Sequence, residues 1–69
     1  MVKEKIGTII KRLRKEKCMS QVELGKLANI TLMSISLIET NKVKPNVKTI
    51  NRIAKALQCD YETLFDALN

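Results

Sequence analysis

The stretch SQVELGKLANITLMSISLIETN, residues 20–41, decides how this chain folds. Its apolar residues recur at helical spacing on both sides of a short polar break, which predicts two short helices. Ser20 and Glu23 have the spacing of a capping box at the start of the first of these helices, and Thr31 can cap the second. Asn29 lies in the break and tolerates the left-handed backbone conformation that a sharp corner requires. The stretch therefore predicts two helices joined by a tight turn.

Three further helices are predicted around this pair. One runs from about Val2 to Lys17, one is capped by Asn46 and has its apolar stripe between Val47 and Leu57, and the last is capped by Asp60. No alternating strand pattern, internal repeat or low-complexity stretch is present. The fold class is therefore all-α with five helices, and 69 residues are expected to form one domain.

The predicted core is the apolar stripe that each helix turns inward. Gly25 lies inside a predicted helix, which suggests a close approach of two backbones, and Cys59 is expected to act as a small buried side chain. The stripe consists of Ile6, Ile9, Ile10, Leu13, Leu24, Leu27, Ile35, Ile38, Val47, Ile50, Ile53, Ala54, Leu57, Tyr61, Leu64, Phe65 and Leu68.

The charge of the chain is positive and unevenly distributed. Thirteen Lys and Arg against seven Asp and Glu give a net charge of +6. The first 17 residues carry seven basic and two acidic side chains, whereas residues 57–69 carry three acidic and no basic side chains. This asymmetry suits a polyanionic partner such as nucleic acid, although a solvated lysine-rich surface would have the same composition.

The composition also narrows the classes of function. The chain has no His and two Cys, which is too few ligands for a zinc site, and a disulfide is not expected. We expect no catalytic residues, no metal-binding residues and no cofactor, because no catalytic constellation is visible. No signal-peptide or membrane-spanning pattern is present, so a cytoplasmic protein without membrane contact is expected.

Two segments, MSQVELGKLANIT and SISLIETNKVKPNVKTINRIAKALQCDYETLF, resemble the phage repressor and Cro-like helix-turn-helix domains, also called the xenobiotic-response-element type. The resemblance covers nearly the whole chain. It implies a five-helix lambda-repressor-like bundle, with a helix-turn-helix in helices two and three, and a single DNA-binding domain over residues 1–69. It also implies that helix three enters the major groove while the start of helix two faces the phosphate backbone.

The resemblance assigns roles to individual residues. It implies a buried salt bridge between Arg14 and Glu39, and Arg14 borders the predicted core, where a charge needs a partner. At the start of helix two, Ser20 and Gln21 are implied phosphate contacts. Further phosphate or groove-edge contacts are implied for Thr31, Ser34, Thr40, Asn41, Lys42 and Lys44, and base-reading positions for Leu32, Met33, Ser36 and Leu37.

The sequence departs from this family pattern at several positions. Asn29 and Asn41 occupy places where Gly is usual, and both keep the left-handed option open. Leu32 and Leu37 occupy places where the family often has Arg, Gln or Lys. Apolar side chains cannot hydrogen-bond to base edges, but they can contact thymine methyl groups. The alternative is that these exposed apolar residues form a protein interface.

The expected function is a sequence-specific regulator of transcription that binds double-stranded DNA. We expect a repressor that acts as a homodimer on a palindromic operator, with the dimer formed at the helix-five end of the chain around Tyr61 or Leu68. A regulatory protein is a further candidate partner. Two alternatives are a DNA-binding antitoxin of a toxin-antitoxin pair, and an adaptor that uses the apolar side of helix three to bind protein.

Overall fold

A computed structural model describes residues 4–68, with Leu68 described by its backbone only. Within this range the chain forms five α-helices and no strand, which confirms the predicted all-α class. The helices are α1 (Ile6–Glu16), α2 (Gln21–Ala28), α3 (Leu32–Glu39), α4 (Val47–Leu57) and α5 (Tyr61–Phe65), and a 3-10 turn (Asp66–Leu68) follows α5.

Local side-chain caps start α2, α3 and α4. Ser20 Oγ accepts a hydrogen bond from the Glu23 N–H at 3.0 Å, and Glu23 Oε1 accepts one from the Ser20 N–H at 3.0 Å, so the predicted capping box is confirmed. The predicted caps Thr31 and Asn46 are also present, each accepting from a backbone N–H three residues on. Asp60 occupies the N-cap position of α5, as predicted, but its side chain makes no capping hydrogen bond.

Each of the first four helices is followed, within two residues of its end, by a residue with a left-handed backbone. The φ angles are 54° at Cys18, 58° at Asn29, 61° at Asn41 and 55° at Gln58. In every case the N–H groups of this left-handed residue and of the residue after it donate back to carbonyls near the end of the helix, as in a Schellman motif. The two Asn positions match the expectation, whereas Cys18 and Gln58 carry no sequence signal for this conformation.

The start of α1 differs from the prediction. The helix begins at Ile6, and the predicted start at Val2 lies outside the described residues. Lys5 occupies the N-cap position, and its side chain makes no capping bond. No helix within residues 4–68 is long and apolar enough to cross a membrane.

The core lies where the inner faces of all five helices meet. Leu27, predicted to be buried, is 63% exposed, because Leu24 and Ala28 form the inward face of α2 and Leu27 lies at its edge. Val47 at the first position of α4 is 55% exposed, so that prediction was also wrong. Phe65 is 38% exposed, and Cys59 is only partly buried against the core. The core residues are Ile6, Ile10, Leu24, Ala28, Ile35, Ile38, Ile50, Ile53, Ala54, Leu57 and Leu64.

Candidate nucleic-acid interface

The outward side of α3 carries exposed apolar side chains in its first turn and half-buried side chains further along. Leu32 is 50% exposed and Met33 is 73% exposed. Ser36 and Leu37 are half-buried on the same outer side, while the opposite face of α3 is anchored in the core. The four residues assigned to base reading therefore all retain some solvent access, with the greatest exposure at Met33.

The start of α2 presents backbone donors. The capping box uses the N–H groups of Ser20 and Glu23, which leaves the N–H groups of Gln21 and Val22 as the unused donors of this helix start. Backbone N–H groups at a helix N-terminus suit an anionic oxygen. The side chain of Gln21 is half-buried, and its Nε2 donates to Glu39 Oε1 at 3.0 Å. Part of the Gln21 carboxamide is therefore engaged inside the protein.

The hydroxyl groups assigned to DNA contact also form bonds within the protein. Thr31 Oγ1 donates to Ser34 Oγ at 2.9 Å. Thr40 Oγ1 lies 2.9 Å from the carbonyl oxygen of Ser36 and 3.2 Å from that of Leu37. These bonds fix the orientation of hydroxyls at the solvent edge of α3.

The loop after α3 carries two of the basic residues assigned to DNA contact. Lys42 and Lys44 are both exposed, and within residues 4–68 neither has a carboxylate within ion-pair distance. Pro45 is buried and anchors the far end of the loop. The side chain of Asn41, at the near end, turns toward α1 rather than toward the outer side of α3, and bonds to Gly7 and to a neighbouring hydroxyl.

The ion pair implied between α1 and α3 is present and buried. Arg14 Nε lies 2.6 Å from Glu39 Oε2, and Arg14 Nη2 lies 3.0 Å from Glu39 Oε1. Arg14 Nη1 also donates to the carbonyl oxygen of Met19 at 2.7 Å. The hydrogen bond to Glu39 raises the pKa of Arg14 above its ordinary value, against the opposing effect of burial. The bidentate pair holds the end of α3 on α1.

Sequence reasoning missed Gly7. A Cβ added to Gly7 would lie 2.0 Å from the carbonyl oxygen of Ile38 and 2.6 Å from Asn41 Oδ1. No side chain fits there, because the backbone of α1 meets the end of α3 directly. A Gly inside a strongly apolar helical pattern was the available signal, since Gly costs about 1 kcal/mol relative to Ala in a helix.

Comparison with known proteins identifies the class that this fold and surface define. Residues 10–64 match the family model described as helix-turn-helix. The chain is 36% identical to the ImmF control region 10 kDa protein of Bacillus phage phi105 over 61 residues, which are 88% of this chain and 68% of that protein. The chain therefore belongs to the helix-turn-helix family of DNA-binding repressors and controllers, which are regulators rather than enzymes.

Solved structures agree with this assignment. The DNA-binding domain of the P22 c2 repressor is 31% identical, with a TM-score of 0.89 over 94% of this chain and 86% of that domain. A variant of the restriction-modification controller protein C.Esp1396I, bound to its highest-affinity operator site, is 32% identical. Its TM-score is 0.79 over 91% of this chain and 83% of the controller. The family that the sequence resemblance suggested is confirmed.

Proposed function

We propose that this protein is a sequence-specific, double-stranded-DNA-binding repressor of transcription that acts in the cytoplasm. In this proposal α3 lies in the major groove, and the start of α2 and the loop after α3 hold the phosphate backbone. The observation that carries the proposal is the outer side of α3, whose side chains keep solvent access between a set of unused helix-start donors and an exposed lysine loop. The similarity of this chain to C.Esp1396I, solved bound to its operator site, and to the DNA-binding domain of the P22 c2 repressor supports DNA binding by this fold.

The base-reading part of the proposal is apolar contact. Leu32, Met33 and Leu37 have no hydrogen-bonding groups, so they favour thymine methyl groups, while phosphate contacts fix the register. The test is selection of bound sequences from random duplex DNA at near-physiological salt. We expect a recurring motif with thymines facing α3, and we expect Met33→Ala or Leu37→Ala to relax the preference at one thymine position each. Leu27→Ala is the matched control, since it truncates an exposed Leu on α2 outside the proposed site.

The phosphate part of the proposal rests on the two loop lysines. Each phosphate that a Lys neutralises adds about 0.9 to the steepness of the fall of log K with log salt, so removing that Lys makes the slope shallower by about 0.9. We therefore expect Lys42→Ala and Lys44→Ala each to weaken binding to all duplexes and to flatten the salt dependence by about this amount. Lys55→Ala makes the same charge change at the end of α4 and should leave the slope as it is. An equal slope for all four proteins would rule out phosphate contact by the loop.

We further propose that two copies bind a palindromic operator. Tyr61 and Phe65 stack with ring centroids 5.3 Å apart and planes 22° apart, and Phe65 is partly exposed, which supports association through α5. Two copies of α3 must then lie about 34 Å apart, one turn of DNA. Footprinting should reveal two half-sites at that spacing. Phe65→Ala should weaken the joint occupancy of the two half-sites, because it removes part of the contact between the two copies. Val47→Ala removes another exposed apolar side chain and serves as the control. A single protected half-site with the wild-type protein would contradict the dimer.

A second candidate function is supported by the same exposed apolar residues. Leu32 and Met33 are large, exposed and adjacent on one surface, which is also typical of a protein-binding site. An adaptor that binds protein through α3 would have no duplex affinity even at low salt, where the charge of this chain favours DNA most strongly. Measuring duplex binding at low salt therefore separates the two functions.

A further inference from the structure

The carboxamide of Asn41 bridges two elements that are far apart in the chain. Asn41 Oδ1 accepts a hydrogen bond from the Gly7 N–H at 2.9 Å, and Asn41 Nδ2 donates to Thr8 Oγ1 at 3.2 Å. Gly7 is in the first turn of α1, where backbone N–H groups need partners. Because Lys5 at the N-cap position provides no side-chain cap, Asn41 supplies this cap from the end of α3.

This bridge is the second of two attachments between the same pair of helices. Glu39 binds Arg14, and Asn41, two residues further on, binds Gly7. Gly7 and Arg14 are seven residues apart on α1, about 10 Å along its axis. Together with the core packing of Ile35 and Ile38, two polar attachments at this separation fix the direction of the end of α3 on α1. The carbonyl of Ile38 lies directly against Gly7 and makes the contact rigid.

The same residue also sets the backbone path into the lysine loop. Asn41 has φ 61°, and its N–H donates to the carbonyl of Ile38 at 3.0 Å. The next N–H, of Lys42, donates to the carbonyl of Leu37 at 3.0 Å. The direction in which the loop leaves α3 is therefore tied to the residue whose side chain is held by α1.

We propose that Asn41 is a positioning residue for DNA recognition rather than a residue that touches DNA. Its carboxamide fixes α3 and the loop with Lys42 and Lys44 in one orientation on α1, so that the phosphate contacts and the base-reading side chains engage in register. The inference rests on the proposed DNA binding and replaces the direct contact that the family resemblance implied for Asn41. A Gly at this position accepts the left-handed backbone but cannot make the bridge.

The test compares Asn41→Gly, Thr8→Val and the double variant with the wild type, on the selected operator and on a scrambled duplex. Asn41→Gly keeps the backbone conformation and removes the bridge, and Thr8→Val removes one partner of the bridge on α1. We expect Asn41→Gly to weaken operator binding roughly tenfold, because binding must then order the loop and the helix end. Thr8→Val should cause a smaller loss, and it should cause none in the Asn41→Gly background. Binding to the scrambled duplex should weaken less, because non-specific phosphate contact does not require one register, and the salt slope should stay the same, because both lysines remain.

Two outcomes would overturn the inference. If Asn41→Gly weakens operator binding while the exchange rate of the Lys42 N–H in the free protein stays at its wild-type value, the loss comes from a direct contact between Asn41 and DNA. If both variants bind as the wild type does, the bridge has no role in positioning. Amide hydrogen exchange in the free protein provides a separate readout, because the Lys42 N–H should exchange faster in Asn41→Gly and in Thr8→Val. Unchanged exchange contradicts the bridge without any DNA, whereas wild-type protein that binds no duplex contradicts the proposed function instead.

Discussion

Replacing Glu39 with alanine removes the partner of a buried cation. Arg14 is 7% exposed and Glu39 is 5% exposed, so the pair is largely shielded from water. The variant loses two charge-assisted hydrogen bonds to Arg14, at 2.6 and 3.0 Å, and the bond from Gln21 at 3.0 Å. Breaking a buried pair from one side costs about 3–5 kcal/mol. Arg14 keeps only the carbonyl of Met19.

This loss is large for a domain of this size. At about 0.05–0.15 kcal/mol per residue, a 69-residue chain has a free energy of unfolding between about 3 and 10 kcal/mol. A loss of 3 kcal/mol or more should lower Tm by at least about 12 °C. Urea denaturation and thermal melting, both followed by circular dichroism, measure the two quantities.

Two matched variants test whether the loss comes from the unpaired buried charge of Arg14. Arg12→Ala removes an Arg whose ion pairs with Glu4 and Glu16 are exposed, and should cost less than about 1 kcal/mol. The double variant Arg14→Met with Glu39→Leu leaves no buried charge, so it should regain most of the loss. A cost of Glu39→Ala no larger than that of Arg12→Ala would refute the cost assigned to the uncompensated Arg14 charge, as would an apolar double variant less stable than Glu39→Ala alone.

Three further outcomes are expected. Gly7→Ala should destabilise the fold by at least about 2 kcal/mol, because its Cβ would lie 2.0 Å from a backbone oxygen of α3; urea denaturation against the exposed-site variant Lys11→Ala checks this. Hydrogen bonds with Ser20 lower the pKa of Glu23, so this carboxylate stabilises the fold above its unfolded pKa of about 4.3, and the contribution disappears as the pH falls through the lower folded pKa. Glu23→Gln should make Tm less dependent on pH below about 4, and equal pH profiles would contradict this. Gln58→Gly should raise stability by about 0.5 kcal/mol, since Gly adopts the left-handed end of α4 without strain; a lower urea midpoint would count against it.

The sequence predicts those parts of the fold that are decided by neighbouring residues. The starts of α2, α3 and α4 depend on Ser20, Thr31 and Asn46, whose side chains bond to the backbone three residues away. The two turns, at Asn29 and after α3, follow from the tolerance of Asn for a left-handed backbone conformation. Because each of these signals is local, it can be read without knowledge of the tertiary structure.

The remaining features depend on distant contacts. The start of α1 was misplaced because its cap comes from Asn41, 34 residues away. The exposure of Leu27 could not be read from its apolar character, since the position of α2 against its neighbours decides which edge of the stripe is covered. The same holds for the candidate site. The family resemblance assigns its residues, but the hydrogen bonds of the Gln21 and Asn41 carboxamides within the protein are visible only in the structure.

The apolar outer side of α3 also determines how recognition should respond to temperature. Covering Leu32, Met33 and Leu37 with thymine methyl groups would remove apolar surface from water, and this gives association a negative heat-capacity change. Guanidinium or carboxamide readers would obtain their discrimination from hydrogen bonds instead. The binding enthalpy of this protein should therefore become steadily more favourable on warming, and operator preference should persist at salt concentrations that abolish binding to unrelated duplexes.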